Sequence, residues 1–292
     1  MAARTWILAA RPKTLPASAA PVLVGWGLAA AAGAFAPGPA VAALAGALLL
    51  QIGANLSNDA FDFAKGADQA DRVGPIRVTQ AGLATPRQVL TATAIVFALA
   101  TAVGVYLAYV GGMAIIYVGI AAILTALAYT AGPLPLAYLG LGEVAALAFF
   151  GPVAVLGTLL VQAHTLPAPA MWLSLGPGLL SAAIMGVNNL RDRVTDARAN
   201  KRTLAVRFGA GAARALYVAE VAAAFVLPVV LVATRQLPLG ALACLGALPL
   251  VVGPLRHVFR SEGAVLNEAL AGTAKVLLAY GVLLAVGLGS RL

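Results

Sequence analysis

Residues 88–109 read QVLTATAIVFALATAVGVYLAY, a stretch of 22 residues without a formal charge. About 20 apolar residues are enough to cross the hydrocarbon core of a bilayer as an α-helix. Similar uncharged runs cover 14–58, 88–142 and 144–190. Of all 292 residues, 62% are apolar and only 10% are charged. This composition excludes an ordinary soluble domain, a disordered chain and a disulfide scaffold, and it predicts an all-α polytopic membrane protein.

Gly, Pro and clustered charges divide the apolar runs into nine predicted transmembrane helices. No polar segment is long enough for a separate soluble domain, so we expect residues 1–292 to form a single transmembrane domain. The predicted spans are 15–35, 39–57, 88–109, 111–128, 141–161, 169–189, 213–234, 237–255 and 264–288.

The basic residues are distributed unevenly between the two sides of such a bundle. With nine spans and a cytoplasmic N-terminus, 16 of the 19 Lys and Arg residues fall in cytoplasmic segments. Arg235 and Arg291 fall on the opposite side, and Lys275 lies within the last span. Because cytoplasmic loops carry an excess of Lys and Arg, this pattern predicts a cytoplasmic N-terminus and a C-terminus on the opposite side. The net charge of +9 therefore reflects membrane topology and predicts no nucleic-acid partner; the expected location is a bacterial cytoplasmic (inner) membrane.

Two polar segments, 58–87 and 190–212, hold six of the ten carboxylates and lie four spans apart. Their equivalent positions indicate a diverged duplication of a four-helix unit. Both are predicted to be Asp-rich cytoplasmic loops. The first begins NDAFDFAKGAD at 58–68, and the second continues from NNLRDRVTD at 188–196.

Polar side chains in these motifs recur at helical spacing. Asn58 and Asp62 are four positions apart, and Asn188, Asp192 and Asp196 follow one another at intervals of four. We consider the case in which the preceding helices continue into the loops. Each set then projects from one helical face. Two such faces brought together would form an oxygen-rich cluster at the membrane surface.

Clustered carboxylates repel one another unless cations neutralise them, and Mg²⁺ is the natural oxygen-liganded candidate. Basic residues are interleaved with the acids, which is the composition expected of a diphosphate site. The alternative is that the acids only balance the positive charge of solvated loops, but two arrays at equivalent positions argue against it. The interleaved basic residues are Lys65, Arg72, Arg77, Arg191, Lys201 and Arg202.

Distinctive motifs lie along most of the chain. They are RPKTLP at 11–16, NDAFDFAKGAD at 58–68, DRVGP at 71–75 followed by Gln80 and Gly82, GLGE at 140–143, QAHTL at 162–166, and residues 188–203. The set resembles the UbiA superfamily of intramembrane aromatic prenyltransferases. The third acid of the first motif, Asp68, follows Asp62 by six residues, and this spacing is similar to that of the MenA branch, the 1,4-dihydroxy-2-naphthoate polyprenyltransferases.

The resemblance implies a nine-helix bundle that uses Mg²⁺ to transfer a polyprenyl group from polyprenyl diphosphate to 1,4-dihydroxy-2-naphthoate. Loss of CO₂ would then give demethylmenaquinone, an intermediate of menaquinone biosynthesis. The implied partners are polyprenyl diphosphate, an aromatic acid acceptor and the lipid bilayer. The implied metal ligands are Asn58, Asp59, Asp62, Asn188, Asp192 and Asp196. The implied diphosphate-binding residues are Lys65, Arg72, Arg191 and Lys201, and the implied catalytic carboxylates are Asp62, Asp68, Asp192 and Asp196.

Two other functions remain open from the sequence. A related prenyltransferase could use 4-hydroxybenzoate or homogentisate, although the delayed Asp68 favours the naphthoate branch. A secondary transporter could show a similar internal repeat, but its acids should lie near the bilayer midplane rather than at helix ends. Phe149, Phe150 and Trp172 are candidates for the wall of a pocket for the prenyl tail, or else packing and interfacial residues.

Overall fold

The computed structural model describes residues 3–66, 73–132 and 135–290, and all regular structure within these ranges is helical. We number the long helical segments α1 to α9 in chain order. Their bounds are α1 Ala3–Ala31, α2 Pro37–Ala64, α3 Pro86–Gly111, α4 Met113–Ala128, α5 Gly142–Ala163, α6 Ala168–Arg198, α7 Leu204–Ala233, α8 Leu239–Arg260 and α9 Gly263–Gly289.

Each predicted span overlaps one of these segments, although several ends differ. Of the segments described, eight are long and apolar enough to cross a membrane. The remaining one, α4, is apolar but has only 16 residues, which gives a length of about 24 Å against a hydrocarbon core of about 30 Å. The all-α polytopic architecture is confirmed, whereas the count of nine membrane crossings stays a prediction.

The outer surface of the bundle carries large apolar side chains. Tyr109 is 89% exposed, and Val105 and Val286 are each 66% exposed. An apolar surface of this extent would promote association in water, but it suits contact with lipid tails. The chain is therefore an integral membrane protein, with its small buried residues between the helices and many of its bulky ones facing the bilayer.

Helix α1 is interrupted at Arg11, whose φ of 52° lies in the left-handed region. The α-helix ends at Ala10 because Pro12 has no amide hydrogen and disfavours helical geometry in the residue before it. A 3₁₀ turn, Pro12–Thr14, then leads into the second part of α1. The exposed backbone is satisfied by α2, since Asn55 Nδ2 donates to the Ala10 carbonyl at 3.0 Å and to Thr14 Oγ1 at 2.9 Å.

Helix α5 is distorted by a π-helical turn over Phe149–Val153. The turn contains Pro152 and a Gly151 with non-helical backbone angles. A Cβ added at Gly151 would lie 2.9 Å from the Gly178 Cα on α6, so the glycines allow the two backbones to meet. The distortion therefore lets α5 bend against α6 at mid-height in the bundle.

Close packing between α1 and α9 depends on small residues. A Cβ at Gly27 would lie 2.5 Å from the Ala285 Cα, and one at Gly281 would lie 2.8 Å from the Ala20 carbonyl oxygen. Small residues at helix interfaces in membranes allow this approach and increase the van der Waals contact between backbones. The N-terminal and C-terminal helices are thereby joined into one packed pair.

We expect Gly281→Ala to lower the free energy of unfolding by about 1–3 kcal/mol, because the added methyl group must push α1 and α9 apart. Gly211→Ala on α7 is the matched control, since a Cβ there has no neighbour within 4 Å. Thermal unfolding in detergent measures the difference. Equal midpoints for both variants would contradict the close contact between α1 and α9.

Candidate active site

The two acidic motifs lie on the final turns of long helices. Asn58 and Asp62 belong to α2, and Asn188, Asp192 and Asp196 belong to α6. Helix α2 has 28 residues, which gives a length of about 42 Å and exceeds the hydrocarbon core of about 30 Å by about two turns. The sequence predicts loops at these positions, but the helices continue beyond the apolar core and keep each motif in helical register.

A cavity of about 1270 Å³ lies between the helices, and both motifs contribute to its lining. Most of the lining is apolar, and the charged and amide side chains of the motifs are concentrated at one end. Arg11 and Lys13, from the interrupted part of α1, also line it. The polar lining residues from the two motifs and their surroundings include Asn58, Asp62, Arg77, Asn188, Asn189, Arg191, Asp192, Asp196, Arg198 and Lys201.

Asp62 is the buried centre of the first motif, with 2% of its surface exposed. Its Oδ2 accepts a hydrogen bond of 2.6 Å from Arg77 Nη2. Its Oδ1 is buried and accepts no hydrogen bond, and it lies 3.6 Å from Lys201 Nζ. One turn earlier, Asn58 Oδ1 accepts from the Thr130 hydroxyl at 3.0 Å. At the polar end of the cavity, Asp62 therefore presents one oxygen that accepts a hydrogen bond from Arg77 and one that, among the described residues, has only the ion pair with Lys201.

Asp59 has a different environment from its neighbours. Its two oxygens accept hydrogen bonds from the backbone N–H groups of Val78 and Thr79, at 2.8 and 3.0 Å. It is 1% exposed, and it is not among the residues that line the cavity. The structure thus separates Asp59 from the other sequence-predicted metal ligands and gives it a role in holding the chain after the first motif.

The second motif is organised around the Arg191 guanidinium, which is 5% exposed as a residue. Its Nε and Nη2 contact the two carboxylate oxygens of Asp192 at 2.8 and 2.5 Å. Nη2 also donates to Asn188 Oδ1 at 2.8 Å, and Nη1 donates to Asn267 Oδ1 at 2.7 Å. This bidentate arrangement fixes both the carboxylate and the amide along one face of α6.

Lys201 brings the two motifs together. Its Nζ lies 3.6 Å from Asp62 Oδ1 and 4.0 Å from Asp196 Oδ1. It also lies 5.1 Å from the ring centroid of Tyr138, and Lys65 Nζ lies 5.0 Å from the same centroid. One aromatic ring therefore attracts two ammonium groups through cation–π interactions, and one of them, that of Lys201, lies beside the carboxylates.

Tyr129 follows α4 and lines the cavity near both motifs. Its hydroxyl donates to the Met185 sulfur at 3.1 Å. Burial raises the pKa of this phenol, and the nearby carboxylates of Glu143, Asp62 and Asp196 act in the same direction. The hydroxyl therefore stays protonated at neutral pH, so it carries no negative charge that would repel a bound anion.

Most of the sequence-predicted residues converge. Lys65 is near this end but does not line the cavity, and Asp68 and Arg72 lie outside the residues that the structure describes. The residues brought together around the polar end of the cavity are Asn58, Asp62, Asn188, Arg191, Asp192, Asp196 and Lys201. Within the described part of the chain, no three His, Cys, Asp or Glu side chains form a ready metal cluster.

The sequence patterns do not indicate several polar contacts of this site. Arg77 is one of six interleaved basic residues in the sequence, yet it is buried against Asp62. Asn189 Nδ2 donates to buried Glu143 at 2.8 Å, which fixes the amide next to Asn188. Asn267 on α9 lies far from both motifs in the sequence, and no local pattern indicates its contact with Arg191.

The apolar part of the cavity reaches the lipid-facing surface. Ile116 and Ile120 of α4 line the cavity and are 39% and 53% exposed. Tyr109 of α3 also lines the cavity and is 89% exposed. Helix α4 buries only Ile115 among its residues, so it packs loosely against the bundle. Phe149 and Phe150 line the cavity, and they come from the π-helical turn of α5.

The remaining candidate for the pocket wall, Trp172, does not line the cavity and is 57% exposed. Its position on the outer surface is typical of an aromatic residue near the membrane interface. The cavity as a whole combines carboxylates for a cation, cations for an anion, and an apolar space open to lipid.

The fold places the protein in a class of intramembrane helical proteins. The solved structure of a UbiA homologue from Archaeoglobus fulgidus bound to DMAPP and Mg²⁺ has a TM-score of 0.64 and 16% sequence identity to this chain. The superposition covers 97% of this chain and 99% of that one. The two proteins therefore share the UbiA fold.

The chain belongs to the UbiA prenyltransferase family, whose model matches residues 18–288. It is 42% identical over 252 residues to the 1,4-dihydroxy-2-naphthoate octaprenyltransferase of Mycobacterium tuberculosis, with 86% of both chains covered. It is 35% identical over 292 residues to the protein of the same name from Escherichia coli, with 98% of this chain and 95% of that protein covered.

We expect Asp59→Ala to speed amide hydrogen exchange at Val78 and Thr79, because their N–H groups lose both acceptor oxygens. The loss should lower the free energy of local opening by about 1–3 kcal/mol. Exchange measured by mass spectrometry checks this, and Glu262→Ala, at a carboxylate 83% exposed, is the control. Unchanged exchange at both amides would contradict the contact with Asp59.

Proposed function

We propose that this chain transfers a polyprenyl group from polyprenyl diphosphate to 1,4-dihydroxy-2-naphthoate, with loss of CO₂ to give demethylmenaquinol, the hydroquinone form of demethylmenaquinone. The observation that carries the proposal is the meeting of two acidic helix ends and buried cations at the polar end of an apolar cavity. The names of the relatives from Mycobacterium tuberculosis and Escherichia coli support the naphthoate acceptor.

The donor set at the polar end fits Mg²⁺. Asp62 Oδ1 is a buried carboxylate oxygen that accepts no hydrogen bond, and carboxylate and amide oxygens are the protein ligands that Mg²⁺ prefers. One or two carboxylates are sufficient when substrate phosphate oxygens complete the shell, so a preformed cluster is not required. We assign the metal to Asn58, Asp62, Asn188, Asp192 and Asp196; when bound, it supplies positive charge to the departing diphosphate.

The cations of the site bind and stabilise the leaving group. Lys201 and Arg191 line the cavity beside the carboxylates, and Lys65 and Lys201 both contact the Tyr138 ring. Positive groups held in place before the reaction stabilise the charge that develops on the diphosphate as its bond to prenyl C1 breaks. Arg77 keeps Asp62 in position through its 2.6 Å contact.

The second half of the reaction takes place on the electron-rich ring of the acceptor. A ring carbon forms a bond to prenyl C1 with its π electrons, and the carboxyl group then leaves as CO₂. The electron pair of the broken C–C bond restores the aromatic ring. Arg11 and Lys13, from the interrupted part of α1, are further cations that line the cavity, and we place the acceptor carboxylate toward them.

The apolar part of the cavity suits a prenyl tail that arrives from the bilayer. The exposed lining residues of α3 and α4 provide a lateral route, and Phe149 and Phe150 provide apolar surface within. We further propose that the protein lies in the inner membrane of a bacterium. The polar end of the cavity then faces the cytoplasm, and the C-terminus lies on the opposite side of the membrane. The excess of basic residues at this end supports that orientation.

We expect membranes containing the protein to convert radiolabelled polyprenyl diphosphate and 1,4-dihydroxy-2-naphthoate into a labelled lipid naphthoquinone only when Mg²⁺ is present. Release of CO₂ should accompany the product. Parallel reactions with 4-hydroxybenzoate and homogentisate test the acceptor. Turnover with one of those instead would correct the acceptor, and absence of diphosphate release with every acceptor would overturn the proposal.

Asp62→Asn and Asp192→Asn should each reduce prenyl transfer by about 100-fold or more, because each removes charge that holds the metal and orients the leaving group. Both should also weaken Mg²⁺ binding in a calorimetric titration. Glu262→Gln, at an exposed carboxylate, is the matched control with the same loss of one charge. Full activity in either Asp variant, with a folded protein, would contradict the assignment of that carboxylate to the metal.

A further inference from the structure

Residues 73–77 form a short strap that passes across the polar end of the cavity. Gly74, Pro75, Ile76 and Arg77 all line the cavity, and Ile76 is 57% exposed. The strap therefore forms part of the wall at the polar end of the cavity. Its two ends are attached to different helices of the bundle.

The later end of the strap is fixed to α2. Arg77 contacts Asp62 at 2.6 Å, and Asp59 holds the N–H groups of the two residues that follow. These contacts are charge-assisted and buried. They belong to the first acidic motif, so the later end of the strap moves with that motif.

The earlier end of the strap is fixed to α9 by one side chain. Asn267 Nδ2 donates to the Val73 carbonyl oxygen at 3.2 Å, across 194 residues of sequence. Asn267 also lines the cavity. Neither acidic motif includes this residue, and it comes from the last helix of the bundle.

The oxygen of the Asn267 amide contacts Arg191. Asn267 Oδ1 accepts a hydrogen bond of 2.7 Å from Arg191 Nη1. A primary amide presents one donor group and one acceptor atom in a single plane, so the two contacts determine which way the amide lies. One side chain therefore contacts both the Arg191 guanidinium, which Asp192 and Asn188 also hold, and the strap.

We propose that Asn267 is a positioning residue with two functions. Its amide oxygen holds the Arg191 guanidinium in place for a diphosphate, and its amide nitrogen latches the strap at Val73. The first function rests on the proposed role of Arg191 in diphosphate binding. The second depends only on the contact with Val73, so the two can be tested separately.

Asn267→Ala removes both contacts. It should increase amide hydrogen exchange in residues 73–77 by roughly tenfold, since the strap loses its attachment to α9. It should also weaken the binding of inorganic pyrophosphate with Mg²⁺ by roughly tenfold, as expected for a lost hydrogen bond to a charged group. Calorimetry on the full-length protein measures the binding without any prenyl transfer.

Arg191→Lys separates the two functions. It keeps the positive charge but loses the fork that reaches Asn267, so pyrophosphate binding should weaken while exchange in residues 73–77 stays at the wild-type rate. Adding Asn267→Ala to Arg191→Lys should not weaken binding further, because Asn267 acts on the anion through Arg191. Exchange in the double variant should match that of Asn267→Ala alone.

Asn267→Asp gives an independent test of the latch. Its carboxylate still accepts from Arg191 but has no donor for Val73, so exchange in the strap should rise as it does with Asn267→Ala. Gln236→Ala, which removes an exposed amide that contacts Thr234, is the control and should change neither measurement.

Wild-type exchange in residues 73–77 of both Asn267 variants would overturn the latch. A full tenfold loss of pyrophosphate binding when Asn267→Ala is added to Arg191→Lys would overturn the action through Arg191. Failure of the wild-type protein to bind pyrophosphate with Mg²⁺ would instead contradict the proposed function. In that case the exchange measurements would still decide whether Asn267 holds the strap.

Discussion

Lys201 forms the electrostatic link on which the candidate site depends. Its ammonium group lies within 4.0 Å of carboxylate oxygens from both acidic motifs, Asp62 on α2 and Asp196 on α6. Moving a carboxylate from water into a buried site without a counter-ion costs roughly several kcal/mol of solvation free energy. Two acidic helix ends could not approach at the edge of a bilayer unless cations lay between them. The positions of α2 and α6 are therefore coupled to a lysine that follows α6.

The same requirement explains the paired guanidinium groups. Arg77 contacts Asp62 and Arg191 contacts Asp192, so each motif carries its own buried cation in addition to the shared lysine. These cations hold the carboxylates in position, and they also leave the site with enough positive charge to receive an anion. The same residues thus stabilise the buried carboxylates and provide positive charge for a bound anion.

Much of this arrangement can be predicted from the sequence, since the period of a helix is fixed. The spacing of Asn58 and Asp62, and of Asn188, Asp192 and Asp196, predicts shared helical faces, and the structure has both sets in helices. The uncharged runs predict the helical bundle for the same reason. Local periodicity contains this information because neighbours along a helix are also neighbours in space.

Long-range contacts are not contained in such a pattern. Asp59 lies next to Asn58, yet its side chain turns to the backbone at Val78 because the chain after the motif folds back over it. Asn267 meets Arg191 and Val73 across 76 and 194 residues. Nothing near Asn267 in the sequence distinguishes it from other polar residues at the start of a membrane helix. Only the packing of α9 beside α6 brings it to the site.

The lateral opening beside α4 changes how the concentration of a ligand should be understood. A prenyl chain that enters the cavity from the bilayer is diluted by lipid and not by water. The occupancy of the site then follows the mole fraction of that ligand in the membrane, whatever the volume of the cell. Adding inert phospholipid at constant total ligand would slow its capture by this protein, whereas adding buffer would leave the capture rate unchanged.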